Sequence, residues 1–172
     1  GGVVYEVDVE TGEAVNVSSL PPSDDIWGGV ITPDWIAWLD QRNRPECGWF
    51  TPCSTKIWGF DRRRRVEAPL VTSYGMHGRQ LDGKGDWLAY TDQRDDPHPH
   101  VDDDRQQNIY ALHLPTMTEI RVEDWPGWQV EPKVYRGVGE WRILFIDEVQ
   151  YIPTLADLWD CNLPDPPPAG GP

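Results

Sequence analysis

The 172-residue chain has little positive charge and no long apolar run. Lys and Arg together number 15, against 29 Asp and Glu, so the formal net charge is −14. A surface of that sign repels phosphate backbones and anionic membranes, so we expect no nucleic-acid partner. No stretch approaches the roughly 18 consecutive apolar residues that a membrane-spanning helix needs, so no membrane span is predicted.

Sequence motifs of common catalytic sites are also missing. There is no Gly-x-Ser-x-Gly sequence, which marks the nucleophile of many hydrolases. The glycine-rich "LDGKGDW" (81–87) lacks the Lys-Ser/Thr pair and the helix of a phosphate-binding loop. His77 and His113 stand alone, and each is interpreted as an ordinary turn or strand residue. The sequence therefore favours a non-enzymatic protein.

Cysteine is scarce, with three in the chain. Cys47 and Cys53 lie in "PECGWFTPCS" (45–54), separated by five residues and accompanied by two prolines. This spacing is compatible with a small disulfide-closed loop, which we predict, and a disulfide implies an oxidising compartment. A zinc site is disfavoured because no second Cys or His pair lies at the required distance. Cys161 is expected to be a small buried residue.

Tryptophan, glycine and proline are abundant, at 10, 16 and 17 residues. Together with the shortage of helix-forming runs, they favour an all-β chain of short strands and many turns. The phrase "WIAWLDQR" (35–42) recurs as "WLAYTDQR" (87–94), so that Asp92 follows Asp40 by 52 residues. Related phrases lie at similar spacings at the two ends, "GVVYEVD" (2–8) and "WRILFIDE" (141–148). The chain is therefore an array of one repeated unit.

Each unit has the pattern of β-strands. Leu88 and Tyr90 alternate with Ala89 and Thr91, the period of two that is typical of an extended segment. Small residues on one face and large residues on the other fit a sheet stacked between two neighbouring sheets. A period of about 50 residues with four strands predicts a β-propeller blade.

The predicted fold class is thus all-β, with propeller blades of four antiparallel strands. The array covers residues 1–164, and a Pro/Gly-rich tail covers 165–172. Within the array we predict a partial blade, two full blades and a second partial blade, at about 3–17, 26–72, 77–123 and 130–164. Closed propellers have about 4 to 8 blades, so about three blades form an incomplete ring.

The stretch "DGKGDWLAYTDQRDD" (82–96), followed by "NIYALHLPTMTEIRV" (108–122), resembles the TolB-like, or WD-like periplasmic, propeller repeat. The resemblance covers about residues 3–164. This sequence departs from the repeat in its turns, "TPDW" (32–35) and "LDGKGD" (81–86), and in the last copy, "FIDEVQ" (145–150), which lacks Gln-Arg. The resemblance implies the fold, and the predicted disulfide favours a periplasmic, secreted or cell-surface location. The resemblance implies no particular activity, because such propellers host many functions.

Three sets of charged residues recur or cluster along the array. Asp40, Asp92 and Asp147 are predicted to accept backbone N–H groups where strands end, rather than to converge as ligands in a channel. Arg42 and Arg94 are expected to form surface ion pairs of little energetic weight. The basic run 62–65 is predicted to be a solvated turn.

The insert "DQRDDPHPHVDDDRQQN" (92–108) is the strongest candidate for a metal site. Two histidines separated by one residue lie on the same face of an extended chain, and carboxylates flank them. The candidate ligands of Ca²⁺, or of a transition metal held by the two histidines, are Asp95, Asp96, His98, His100, Asp102, Asp103 and Asp104. The alternative is a solvated acidic loop.

The candidate binding residues are Trp125 and Trp128 in "EDWPGWQVEP" (123–132), where a turn between blades would expose them. The sequence favours a non-enzymatic extracytoplasmic scaffold or binding module for a protein or polymer. The alternatives are an accessory propeller domain of a hydrolase or lyase, and a module whose binding depends on a divalent cation. Because an incomplete ring exposes apolar sheet faces and strand edges, we expect a homo-oligomer or a larger assembly to complete it.

The two ends of the sequence carry expectations of their own. The chain begins with Gly1-Gly2 rather than Met, as expected of a processed mature form or of a piece of a longer gene product. The proline-rich tail has the composition of a linker, which suggests a tethered module.

Overall fold

The computed structural model describes residues 3–19, 26–40, 56–72, 80–95, 106–122, 128–148 and 156–165. Within these ranges the chain forms thirteen short strands: β1 (Tyr5–Val7), β2 (Ala14–Asn16), β3 (Ile26–Ile31), β4 (Trp35–Asp40), β5 (Lys56–Asp61), β6 (Val66–Val71), β7 (Leu81–Lys84), β8 (Trp87–Asp92), β9 (Asn108–His113), β10 (Thr118–Arg121), β11 (Trp128–Arg136), β12 (Trp141–Glu148) and β13 (Ala156–Asn162). The described ranges hold no helix with the length and hydrophobicity of a membrane span.

The strands form four antiparallel sheets in chain order. Sheet I contains β1 and β2, sheet II β3 to β6, sheet III β7 to β10, and sheet IV β11 to β13. Each strand pairs with the next one along the chain, as β8 does with β9, where Trp87 lies opposite His113 and Asp92 opposite Asn108. These sheets confirm the predicted all-β class with blades of four antiparallel strands.

The first strands of sheets II, III and IV lie next to one another. Strand β3 contacts β7, and β7 contacts β11. The sheets therefore radiate outward from a shared inner edge, which is the arrangement of propeller blades around an axis.

Three apolar clusters lie between consecutive sheets and hold the stack together. The cluster between sheets I and II contains Val17, Ile36, Trp38 and Phe60. The cluster between sheets II and III contains Ala37, Leu39, Ile57, Leu70, Val71, Leu88, Tyr90, Tyr110, Leu112 and Leu114. The cluster between sheets III and IV contains Trp87, Ala89, Ile109, Ala111, Val134, Ile143, Phe145 and Leu163.

The alternation seen in the sequence separates these clusters. On β8, Leu88 and Tyr90 face sheet II, whereas Trp87 and Ala89 face sheet IV. Side chains of successive strand residues point to opposite faces, so a strand covered on both sides is buried along its whole length. All residues of β8 and of β9 are accordingly buried.

Candidate interaction site

Sheet I lies at one end of the stack and packs on sheet II through one of its faces. On that face Val4 contacts the apolar cluster of sheet II, and Glu6 pairs with Arg62. Tyr5 and Val7 point the opposite way, with 57% and 54% of their surfaces exposed. Val9, in the turn that follows, is 93% exposed. We call the surface formed by Tyr5, Val7 and Val9 the outward face.

One side of the β1 main chain has no pairing partner among the described strands. Val17 N–H donates to the carbonyl of Val4, and Asp8 N–H donates to the carbonyl of Glu13, both at 2.9 Å. Backbone groups of an antiparallel strand point alternately to its two sides. Those of Tyr5 and Val7 therefore point away from β2, and none of the described strands pairs with them. We call this side of β1 the open edge.

A cleft of about 590 Å³ separates the open edge from sheet II. It is lined by residues 4–8 of the β1 segment, by Glu13 and Val15, by residues 29–31 of β3, and by Ile36 and Arg62. The lining mixes apolar side chains with three carboxylates and one guanidinium. The cleft is therefore suited to a ligand that combines apolar groups with positive charge.

The turn between β5 and β6 fixes sheet I in place. Arg62 donates from Nε to Glu6 Oε1 at 2.7 Å and from Nη1 to the carbonyl of Pro33 at 2.9 Å. Arg65 lies 3.4 Å from the same Glu6 carboxylate. Arg63 and Arg64 are exposed, as predicted for a solvated turn, whereas Arg62 joins sheets I and II.

A second polar cluster lies in sheet III, where the recurring Asp-Gln-Arg phrase ends. Asp92 is fully buried, and its carboxylate accepts the backbone N–H of Arg94 at 2.8 Å, the strand-end role predicted for it. The guanidinium of Arg94 donates from Nε to Asp92 at 2.6 Å and from Nη1 to Glu119 at 2.5 Å. It also stacks 4.3 Å from the centre of the Tyr110 ring. This ion pair is buried on the carboxylate side, in contrast to the surface pair that was expected.

Two tyrosines complete the cluster. The Tyr90 hydroxyl donates to Glu119, and the Tyr110 hydroxyl donates to Asp95. The two rings are stacked, with their centres 5.9 Å apart. Burial raises the pKa of the Tyr90 hydroxyl far above its ordinary value, and the charge of Glu119 raises it further. The hydroxyl therefore remains a protonated donor, and the cluster ties β8, β9 and β10 together at the base of the acidic insert.

Of the predicted metal ligands, Asp95 lies in the described part of the chain. It is exposed, and its carboxylate accepts the Tyr110 hydroxyl and lies 3.3 Å from Arg121 Nη1. Within the described ranges, no group of three His, Cys, Asp or Glu side chains is placed to hold a metal ion.

The other predicted ligands lie outside the described residues; these are Asp96, His98, His100, Asp102, Asp103 and Asp104. Calcium binding stays a prediction, to be tested by calorimetric titration of the chelated protein with calcium. We expect an Asp102→Asn, Asp104→Asn variant to lose the binding, and an absence of heat in the wild type would leave the solvated loop.

Trp128 begins strand β11, where the sequence predicted an exposed turn. It is half-buried, lies opposite Glu148, and forms a parallel bridge with Gln107. The backbone N–H of Gln129 donates to the carbonyl of Gln107 at 2.9 Å, which ties the start of β11 to sheet III. Trp125, Cys47 and Cys53 lie outside the described residues, so their predicted roles stay predictions.

The individual residues of the outward face were not identified from the sequence, although exposed apolar faces were expected of an incomplete ring. The available signal was the repeat itself. Tyr5 occupies the same position in its unit as Trp58 and Tyr110 in theirs. Tyr110 packs against the preceding sheet, whereas no described sheet precedes Tyr5.

Comparison with solved structures defines the class of fold as a TolB-like β-propeller. The putative TolB from Agrobacterium tumefaciens matches with a TM-score of 0.52 and 11% identity, over 93% of this chain and 61% of that chain. TolB from Acinetobacter baumannii matches with a TM-score of 0.49 and 17% identity, over 84% of this chain and 35% of that chain. The likeness to the Agrobacterium tumefaciens structure confirms the fold predicted from the repeat. The chain spans less than two thirds of the length of either structure. The sequence matched no protein-family profile and no curated protein.

Proposed function

We propose that the chain is a non-enzymatic, extracytoplasmic propeller module that binds a protein partner through the end of its stack formed by sheet I. The observation that carries this proposal is the outward face. Tyr5, Val7 and Val9 are more than half exposed at the position where a propeller has its next blade.

The hydrophobic effect supports coverage of this face. Burial of apolar surface contributes about 25 cal/mol per Å². Covering the three exposed side chains would therefore favour association. Tyrosine is also enriched at protein interfaces, where its ring is buried and its hydroxyl remains hydrogen-bonded. Sheets II and III are covered on both faces by their neighbours, whereas sheets I and IV each have one neighbour among the described sheets; the exposed apolar residues of the outward face lie on sheet I.

The partner we propose is one that extends the incomplete ring, either another copy of the chain or a different protein. Closed propellers need about 4 to 8 blades, and the four sheets described here include two full blades. A covering sheet would bury the outward face in the same way as sheet II buries the face of sheet III that carries Leu88 and Tyr90.

A pair of surface variants tests the proposal. We expect the wild-type chain to associate in light scattering and to bind an apolar-surface dye. The Val7→Lys, Val9→Lys double variant should lose both properties, because two charges would have to be buried in the interface. Val138→Lys is the matched control, since Val138 is fully exposed in a turn of sheet IV. A monomeric wild-type chain without dye binding would contradict the proposal.

The proposed extracytoplasmic location rests on the spacing of Cys47 and Cys53, which suits a disulfide of oxidising compartments. Intact mass after alkylation, with and without prior reduction, tests the pairing. Two alkylated thiols in the unreduced sample would remove this support. The non-enzymatic role is tested separately by screening for hydrolase and lyase turnover, and activity that a single substitution abolishes would refute it.

A further inference from the structure

We propose that the open edge of β1 accepts an antiparallel β-strand from the partner protein, and that this strand alternates apolar with basic residues. This inference rests on the proposed protein-binding role and names the mode of binding. It uses the cleft and the main chain of β1. Tyr5 and Val7 belong to both the cleft lining and the outward face, whereas Val9 belongs to the outward face alone.

The main-chain geometry is suited to the addition of a strand at this place. The N–H and C=O groups of Tyr5 and Val7 point into the cleft, because those of Val4 and Asp8 are used in the pairing with β2. Such a row of unpaired groups is a template for another strand. All strand pairs in the described sheets are antiparallel, so an antiparallel addition continues the pattern of the blade.

The cleft lies beside the sheet that has the fewest described strands. Sheets II and III each have four strands, whereas sheet I has two, and its apolar cluster with sheet II contains Ile36, Trp38 and Phe60. Among the described residues, Ile31 on β3 lines the cleft and is 60% exposed. An added strand would place every second side chain over Ile31 and Ile36, so those residues of the partner should be apolar.

The charge of the cleft selects the remaining residues. Its lining carries the carboxylates of Glu6, Asp8 and Glu13 against the single guanidinium of Arg62. Arg62 is already paired with Glu6, so it does not neutralise Asp8 or Glu13. Asp8 Oδ1 accepts the backbone N–H groups of Glu10 and Thr11 at 2.9 Å, which leaves its negative charge in the lining beside that of Glu13. Lys or Arg on the incoming strand would complement these charges and speed its association.

The test uses a cyclic β-hairpin peptide whose outer strand alternates Val and Lys, and it measures binding to the full chain by calorimetry. Two peptide controls separate the causes. In one, the amides of the outer edge are N-methylated, which removes the main-chain donors. In the other, Glu replaces Lys. We expect each change to weaken binding at least tenfold.

Two variants of the protein localise the binding. Val7→Pro removes one N–H from the open edge and leaves the pairing with β2 intact, since that N–H does not take part in it. Glu13→Lys reverses one charge of the cleft lining without altering the main chain. It tests the proposal even if Val7→Pro prevents folding. We expect a loss of at least tenfold for Val7→Pro and of several-fold for Glu13→Lys. Val138→Lys should bind like the wild type.

The outcomes distinguish this inference from the function on which it rests. Equal binding of the methylated and unmethylated hairpins, equal binding of the Lys and Glu hairpins, or no binding by any of them would overturn strand addition. The Val9→Lys single variant then separates the two proposals. If it abolishes association of the chain while the hairpins give one of these results, the proposed function stands and the mode of binding is wrong. Val9 lies outside the lining of the cleft, so its effect reports on the outward face alone.

Discussion

At the scale of single residues, the ion pair between Asp92 and Arg94 is a feature with a large energetic consequence. A carboxylate taken out of water loses several kcal/mol of hydration free energy, and only a well-placed positive partner offsets that loss. Arg94 supplies two guanidinium contacts and a backbone N–H to Asp92, and it also reaches Glu119. The pair therefore contributes mainly to the specific placement of the chain that leaves β8.

We predict that Arg94→Met lowers the free energy of unfolding by about 3–5 kcal/mol, because the buried Asp92 would lose the guanidinium of Arg94. The matched control is Arg142→Met. Arg142 is about as exposed as Arg94, but its partner Asp160 is 41% exposed where Asp92 is 0%. The control should change the free energy of unfolding far less, because exposed ion pairs contribute little. Urea denaturation measures both values.

A double variant checks the physical cause. If the uncompensated charge is responsible, Asp92→Asn combined with Arg94→Met should be less destabilising than Arg94→Met alone. Equal losses for Arg94→Met and Arg142→Met, or a double variant that simply adds the two single effects, would show that burial of Asp92 is not what makes the pair important.

At the scale of elements, the tight turn between β7 and β8 determines how closely sheets III and IV approach. Gly85 in this turn has a φ of +59°, which L-residues rarely adopt. The indole of Trp141, from β12 of sheet IV, packs directly over it, so that a Cβ at residue 85 would overlap the ring. The absence of a side chain therefore serves both the turn and the contact between the sheets.

We predict that Gly85→Ala costs about 1–2 kcal/mol for the left-handed backbone and about 1–3 kcal/mol more for the overlap with Trp141. Gly139→Ala separates the two contributions. Gly139 has a φ of +84°, and a Cβ there would meet no atom within 4 Å. Its substitution should show the backbone cost alone. Equal losses of unfolding free energy for the two variants would mean that Trp141 moves aside without cost.

At the scale of the whole molecule, the stack is a series of sheets in which each contacts only its neighbours. The stability of such an array is close to a sum over units and interfaces. Sheet III has a neighbour on both faces, whereas sheet I has two strands and a single neighbour among the described sheets. The opening of the array should therefore begin at sheet I.

We predict a gradient of amide hydrogen exchange along the chain. In the isolated protein, amides of β8 and β9 should exchange most slowly and those of β1 and β2 most rapidly, because local opening exposes the least apolar surface at sheet I. Peptide-resolved exchange with mass spectrometry measures this. Equal protection of β1 and β8 in a monomeric sample would indicate that the outward face and open edge are covered. Protection of β1 should rise when a partner binds.

Much of the architecture could be predicted from local chemistry. The recurrence of "WIAWLD" and "WLAYTD" identified the blades, because strands in equivalent environments need the same alternation of small and large residues. The backbone-capping role of Asp92 was predictable for a similar reason, since it involves a residue only two positions away. The burial of its pair with Arg94 was not, because Glu119 and Tyr110 come from other strands.

Tyr5 and Tyr110 show where the sequence alone is insufficient. Both follow an aliphatic residue at the same position of the repeat, and both strands carry the same alternation. Tyr110 is 4% exposed, because sheet II lies against it, whereas Tyr5 is 57% exposed. Period and alternation are properties of a short segment, so the sequence by itself determined the strands, the blades and the class of fold. Whether a face meets another sheet depends on residues far away in the chain, so only the tertiary structure decided which apolar face and which strand edge remain available to a partner.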